Sequence, residues 1–321
     1  MPIDHNGTKD RVGPLIMTLL VRDEADIVRQ NIEFHLSRGV DHIFATDNGS
    51  ADGTSDIFDE YQRAGPLTLL REPSDEYRQM AWVDRMIKLA IETVGECWLL
   101  TNDADEFWRP PDKSEGRSGN LRDLLMRAPS PSVVCRRHNM VNTPGRLDPE
   151  KWSETLVWRS TIKTTPPKRT ELLRTGPMAH PFYCFKLPSK VLVYSRDLVS
   201  VNRGCHSAAF TMPVTPVDLG VEIFHYPLRS AAEFKTSVVH ISRAILKNTD
   251  LGPVELSKYR RWGEILNRTG SAEKVVEDAL PTWLQLQRYR LSGRLVKDQR
   301  MRDDLEPLSG ALSNPSSRRS A

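Results

Sequence analysis

Cysteine is scarce in this chain of 321 residues, and the four that occur (Cys97, Cys135, Cys184, Cys205) are widely spaced. No CxxC pair is present, which argues against a disulfide scaffold and a standard zinc site. Long apolar runs are missing too. The longest early one, Leu15 to Val21, is broken by Thr18 and is too short to span a bilayer. Met1 to Gly13 is polar, mixed in charge and lacks the apolar core of a signal peptide, so a cytoplasmic location is expected. There is no internal repeat. No aromatic and basic residues interleave as in nucleic-acid readers, so no nucleic-acid partner is expected.

With 39% apolar and 27% charged residues, the chain has an ordinary globular composition and can bury a large core. Its net charge of +3 is unevenly spread. Ser160 to Cys205 carries +6 and Arg288 to Ala321 carries +4. The middle segment suits a phosphorylated ligand or an anionic surface, and the tail reads as a solvated basic stretch.

Apolar periodicity divides the first hundred residues into alternating strands and helices. Strands are predicted at 14–21, 41–46, 67–70 and 97–101, and helices at 26–38, 55–64 and 80–94. This rhythm implies an α/β fold with a mostly parallel, Rossmann-like sheet and flanking helices. Ligands in such sheets bind beyond the carboxyl ends of the strands. Three polar clusters fall there: Arg22-Asp23-Glu24, Asp47 to Thr54, and Asp103 to Glu106. Three carboxylates within four residues at the end of a buried strand suit a hard divalent cation, magnesium or manganese.

After Pro110 the pattern changes. A polar loop at 111–120 leads to a short helix at 121–127. Short strands are predicted at 132–137, 155–161, 182–186, 191–194 and 221–226, and helices at 230–247 and through 254–291. The Ser/Pro/Arg-rich end, 309–321, reads as disordered.

Several of these motifs together resemble family-2 glycosyltransferases. Asp47-Asn48-Gly49-Ser50-Ala51-Asp52-Gly53-Thr54 is similar to their DDGSxDGT segment. Arg22-Asp23-Glu24-Ala25 stands where they carry an Asn-Glu pair, and Asp103-Ala104-Asp105 where they carry a DxD. A bacterial subgroup with a DADEF-type motif also has a later segment like His225-Tyr226-Pro227-Leu228-Arg229-Ser230. The likeness covers roughly 14–245.

The resemblance implies a GT-A fold and sugar transfer from a nucleotide-diphosphate sugar to a carbohydrate or lipid-linked acceptor. The expected domains are a polar arm at 1–13, a transferase domain at 14–248, a helical C-terminal extension at 249–308 and the tail. Within the transferase domain the nucleotide-sugar half would be 14–110 and the acceptor half 111–248. Arg22 and Glu24 would line the nucleoside pocket, Asp47 would meet the base or ribose, and Arg85 would face the nucleotide. Asp103 and Asp105 would hold a manganese or magnesium ion, with His225, or else His206, completing its shell. Asp23 and Asn48 depart from the family pattern without losing hydrogen-bonding capacity. The acceptor base is not identified: Glu106, Asp148, Glu171 and Glu222 are candidates, with Glu106 nearest the acidic motif. Arg229 or Lys235 would supply a fixed cation to the leaving diphosphate. The 111–120 loop would close over the donor, and the +6 segment would make a peripheral contact with the inner face of a membrane. Two other readings stand beside this one. A nucleotidyltransferase would need a basic, Gly-rich loop after the first strand, which is acidic here. A binding scaffold would keep the fold without turnover.

Overall fold

The computed structural model describes residues 11–74, 78–114, 117–174, 176–247 and 256–308. Most of the expected N-terminal arm, the start of the C-terminal extension and the 309–321 tail therefore lie outside the described residues. The first half runs β1 (Leu15–Val21), α1 (Val28–Ser37), β2 (His42–Asp47), α2 (Thr54–Ala64), β3 (Leu67–Arg71), α3 (Gln79–Val94) and β4 (Trp98–Asp103). The strands lie side by side as β4-β1-β2-β3, all parallel. Leu15, Met17, Leu19 and Val21 bury on one face, with Ile32, Phe34 and Phe58. Ile16 buries on the other, with Phe44, Met86 and Leu99. A strand covered on both faces needs apolar side chains at successive positions, which is why β1 reads as a continuous run.

The chain order turns from β3 back across β1 to β4, so the crevice between the carboxyl ends of β1 and β4 is the switch point of the sheet. Leu20 pairs with Asp103 there.

The sheet then becomes mixed. β5 (Glu106–Arg109) leaves the acidic turn directly, where the sequence pattern showed no strand. A small hairpin, β6 (Asp112–Ser114) and β7 (Arg117–Ser118), occupies the stretch expected as an open loop. There follow α4 (Leu121–Leu125), β8 (Ser132–Val141), α5 (Trp152–Thr155), β9 (Trp158–Ser160) and α6 (Arg169–Leu172). Next come β10 (Lys190–Tyr194), the ribbon β11 (Leu198–Val201) and β12 (Ala208–Phe210), and β13 (Val217–His225). β10 joins β4 to β8, antiparallel to both, and β13 lies parallel to β8 with β5 antiparallel on its other side.

The strand expected at 182–186 is a 3-10 turn, Phe182–Cys184. Pro181 leads into it, and its aromatic rings bury in a second core around Trp262 and Phe234. That core is closed by α7 (Ala231–Lys247), α8 (Ser257–Thr269), α9 (Ala272–Ala279) and α10 (Trp283–Leu291). The C-terminal segment is mainly helical, but β14 (Leu295–Lys297) adds itself to β9, and α11 (Arg300–Leu305) follows. On α11, Asp304 accepts from buried Arg109 at 2.7 Å. The C-terminal segment is thereby tied to the main sheet. No helix among the described residues is long and apolar enough to cross a membrane. All four thiols are buried and unpaired.

Glu222 on β13 joins three elements: it accepts from His138 Nε2 of β8 at 2.9 Å and from Arg300 of α11 at 2.7 Å. Burial works against its ionisation, yet those two partners hold its carboxyl down at about 2. A depressed carboxylate stabilises the fold fully above its unfolded value near 4.5 and loses that contribution as pH falls through about 2. Glu222→Gln is expected to cost about 2–3 kcal/mol at pH 7 and much less at pH 2. Urea unfolding at both pH values measures this, and an equal deficit at both would contradict the linkage.

Candidate functional site

A cleft of about 990 Å³ opens at the β1/β4 switch point. One wall is Arg22, Asp23, Glu24, Asp103, Ala104 and Asp105. The opposite side comes from the 3-10 turn and from α7 and α8, including Tyr183, Glu233, Phe234 and Lys258.

The loop after β1 is aimed by its neighbours. Asp23 has a φ of +54°, a left-handed conformation that Asp tolerates better than most residues. Its Oδ1 accepts from Ala51 N at 2.7 Å. Thr54 Oγ1 accepts from Glu24 N at 3.0 Å, and Asp52 Oδ2 accepts from Ala25 N at 2.9 Å. The Asp47 to Thr54 segment therefore buttresses the Arg22 to Ala25 loop and presents only Asn48 to the cleft.

The acidic turn is held from beneath. Asn31, fully buried on α1, donates to Ala104 O and Glu106 O, both at 2.8 Å, gripping the backbone on either side of Asp105. Asn102 donates to Asn31 Oδ1 at 2.8 Å and accepts from Trp108 Nε1 at 2.8 Å. His35 completes the cluster: its Nδ1 donates to Asn31 O at 2.8 Å and its Nε2 accepts from Trp108 N at 3.2 Å. Burial lowers the His35 imidazole to about 4, so it stays neutral.

Charge is balanced just as tightly. Lys190 of β10 lies 2.7 Å from Asp103 Oδ2 and 2.5 Å from Glu106 Oε2. Burial opposes its positive charge, but the two carboxylates outweigh that and raise its pKa. Arg137 donates to the other Glu106 oxygen at 2.8 Å. Asp103 keeps a side chain 40% exposed on the cleft wall. Asp105 lies 3.1 Å from His225 Nε2. Burial would raise Asp105, yet His225, Arg229 and Lys190 hold it well below the ordinary carboxylate range.

Several predicted site residues come together here, and others do not. Arg22, Glu24, Asp103, Asp105, His225, Arg229 and His206 all line the cleft. Asp47 does not: it is 3% exposed, and its carboxylate accepts from Ser50 N at 3.0 Å and from Ser55 Oγ. Arg85 is also off the cleft wall and lies 3.4 Å from Glu72. Glu106 has no exposed surface and is spent on Lys190 and Arg137, which argues against its use as a base. The other base candidates, Asp148, Glu171 and Glu222, are likewise not on the wall. Arg229 is committed: it binds Asp26 through two nitrogens at 2.6 and 2.9 Å, also pairs with Glu24, and donates to Tyr226 O at 2.8 Å. It acts on Glu24 rather than offering a free fork to a ligand. Lys235 pairs with Glu273 at 2.5 Å, away from the cleft. Nor does the 111–120 stretch reach the cleft lining among the described residues.

The eight cations of the +6 segment sit in several settings, and Lys163, Arg174 and Lys186 are exposed. Lys190 is buried, Arg196 pairs with Glu96, and Lys168, Arg169 and Arg203 line the cleft.

Two cleft residues carry chemistry that the sequence reading missed. Lys258, on the first turn of α8, points its ammonium among Tyr259 (4.5 Å), Trp262 (5.4 Å), Phe182 (5.6 Å) and Tyr183 (5.6 Å). No carboxylate among the described residues pairs with it, and burial lowers it to about 8. Glu233, on the first turn of α7, keeps an exposed side chain on the cleft wall, and partial loss of water there, with the nearby Asp26 charge, raises its pKa. Ser230 Oγ accepts from Glu233 N at 3.3 Å. Ser230-x-x-Glu233 thus reads in sequence as a helix cap, which hides the carboxylate's other use. Glu24 is also raised, by burial and then by the nearby Asp105 and Asp26 charges, against the pull of Arg229.

The donors present bear on a metal. His225 Nδ1 lies 2.6 Å from Asn139 Oδ1, which can only accept, so the ring proton sits on Nδ1. Asn139 Nδ2 donates to Phe185 O at 3.4 Å, which fixes the amide's orientation. Nε2 then faces Asp105 Oδ2 lone pair to lone pair unless a second proton or a cation lies between them. Among the described residues no group of three or more His, Cys, Asp or Glu side chains is placed to hold a metal ion. The set fits a cation shared with substrate phosphates, the usual habit of magnesium, better than a protein cage.

No family model and no curated protein sequence matches the chain. Among solved structures it is similar to the mannosyltransferase PcManGT from Pyrobaculum calidifontis, in complex with GDP-Man and Mn2+. Identity is 14%, coverage is 96% of this chain and 88% of that one, and the TM-score is 0.35. It is similar as well to S. aureus TarS 1-349 in complex with UDP-GlcNAc, at 11% identity, 92% and 91% coverage and a TM-score of 0.36. A longer S. aureus TarS chain matches at 14% identity and a TM-score of 0.35, with 80% of this chain covering 44% of that one.

The Asn31 clamp yields a direct test. Asn31→Leu leaves two carbonyls and the Asn102 amide unpaired, each worth about 1–3 kcal/mol. Asn31→Asp keeps the shape but loses both donors. Urea unfolding should show each variant less stable by about 3 kcal/mol or more. A loss below about 0.5 kcal/mol in both would mean that the turn is held some other way.

Proposed function

We propose that the protein is a metal-dependent glycosyltransferase of the GT-A type, moving a sugar from a nucleotide-diphosphate sugar to an acceptor hydroxyl. The observation that carries this reading is the meeting of two acidic loops at the sheet's switch point, opposite a cation with no carboxylate partner among the described residues. Arg22, Glu24 and Asn48 flank the crevice where a nucleoside would lie. Asp103, Asp105 and His225 would hold a magnesium or manganese ion. When bound, such an ion supplies Lewis-acid neutralisation of charge on the departing diphosphate.

The chain's own residues account for the rest. The acceptor oxygen attacks the anomeric carbon, the glycosyl–phosphate bond breaks, and the diphosphate leaves with the electron pair. Lys258 is the cation best suited to that developing charge, because its aromatic surroundings lower the local dielectric and no carboxylate among the described residues forms an ion pair with it. It takes the part that Arg229 was expected to play, and Arg229 instead fixes Glu24. Glu233 is the base that takes the acceptor proton: it lies on the cleft wall, and a raised pKa moves it toward the working pH. Glu106, Lys190 and Arg137 hold Asp103 in place from the interior.

Calorimetric titration with UDP and GDP, with and without manganese, tests the donor site. GDP-Man and UDP-GlcNAc are the first full donors to offer. Manganese-dependent binding should appear in the wild type and vanish in Asp103→Ala/Asp105→Ala. Lys258→Ala should weaken it about tenfold or more while the fold stays intact. Glu233→Gln should bind normally and lose about 10²–10⁴ in turnover. Binding that ignores metal and survives the Asp103→Ala/Asp105→Ala change would overturn the reading. Binding without turnover of any donor would favour a scaffold.

A further inference from the structure

Helix α10 carries an apolar face that no other described element covers. Trp283, Leu284 and Leu291 are 64%, 73% and 91% exposed. They lie at i, i+1 and i+8, within one arc of the helix that they share with Gln287, which accepts from Arg290 at 3.0 Å. The opposite side, Leu286 and Tyr289, is buried in the second core. The helix itself is well defined, since Thr282 and Gln285 form a reciprocal cap at its start. The exposed face is therefore a feature of a rigid, docked helix.

Its borders are cationic. On a 100° wheel Arg290 falls just before Trp283 and Arg288 just beyond Leu284, so an arginine stands on each flank of the apolar strip. Both are exposed, as are Arg294 and Lys297. From Pro281 to Lys297 there is no acidic residue. Arg290 lies 4.3 Å over the Trp158 ring, which holds it beside the strip.

We infer that this face of α10 docks the protein on an anionic bilayer surface, with Trp283, Leu284 and Leu291 entering the interface and Arg288 and Arg290 meeting lipid headgroups. The charge pattern selects this occupant. An apolar strip with cations on both flanks and no carboxylate complements a layer that is anionic above and hydrocarbon below. Tryptophan prefers the headgroup level, and arginine stems can lie along apolar surface while their heads stay in water. The side chains protrude from a convex helix and take no part in lining the cleft, which suits a fluid surface better than a deep pocket for a folded partner. Three apolar residues give a weak, reversible hold, so the electrostatic contribution is required as well. This contact uses no cleft residue and does not depend on the proposed reaction. It also differs from the membrane contact expected of the +6 segment, which is a different stretch of the chain.

The test is co-sedimentation of the full chain with vesicles of phosphatidylcholine alone, or with about a third phosphatidylserine. The bound fraction should rise several-fold on the anionic vesicles and fall as salt is added. Trp283→Ser/Leu284→Ser/Leu291→Ser should abolish binding while leaving the circular dichroism and melting temperature unchanged. Arg288→Gln/Arg290→Gln should remove the preference for phosphatidylserine. Wild-type binding that the triple change leaves intact would overturn the inference, as would absence of binding to either vesicle. A wild-type dimer that the triple change converts to monomer, without vesicle binding, would assign the face to a second copy of this chain instead.

Discussion

A single buried ammonium ties the two halves of this molecule together. Lys190 sits on β10, the strand that joins the parallel sheet to the mixed part, and it neutralises Asp103 and Glu106 at once. Three carboxylates crowded at one strand end would repel each other and desolvate poorly without it. Arg137 on β8 takes the remaining Glu106 oxygen. The acidic turn therefore keeps its shape only when the second half of the chain has folded against the first. The Asn31 amide does for the backbone of that turn what Lys190 does for its charge.

The cleft inherits this division. Its acidic wall belongs to the loops after β1 and β4, while Lys258 and one further carboxylate come from α8 and α7. Topology explains the placement. A sheet that reverses its strand order opens a crevice at the reversal, and helices added later in the chain can cover only the side that the loops leave open. Arg229 crosses between the two sides, binding Glu24 and Asp26 from the segment that leads into α7. Opposite signs on facing walls suit a ligand that presents an anionic diphosphate to one and a cation-bridged edge to the other.

The aromatic core behind the cleft serves two surfaces. Phe182 and Tyr183 line the cleft and pack on Trp262, while Tyr289 of α10 closes the same core and its hydroxyl lies 2.8 Å from His180 Nδ1. The helix that turns Trp283 and Leu291 outward is thus anchored by residues that also shape the cleft wall. Its buried side is fixed by packing. Its outer side is under no such constraint, so the residues there reflect what lies outside the fold.

What the sequence alone determined is local. Short apolar runs located the strands and period-3.6 patterns the helices up to β4, because each of those elements is buried where its own residues are apolar. The clusters at Arg22 to Glu24 and Asp103 to Asp105 were legible for the same reason: turn residues and carboxylates after an apolar run mark a strand end. Parity defeated Asp47, where a shift of one residue inward put Asn48 on the cleft instead. Asn31, Lys190, Arg137 and Lys258 left no local signal, since each acts on a partner far away in the chain, and Glu233 was hidden inside a capping pattern. Only the tertiary structure decided which charges meet: Glu106 became an interior counter-ion, Arg229 was consumed by two carboxylates, and Lys258 was left without one among the described residues. Pair distances across a fold are set by packing, and no spacing along the chain encodes them.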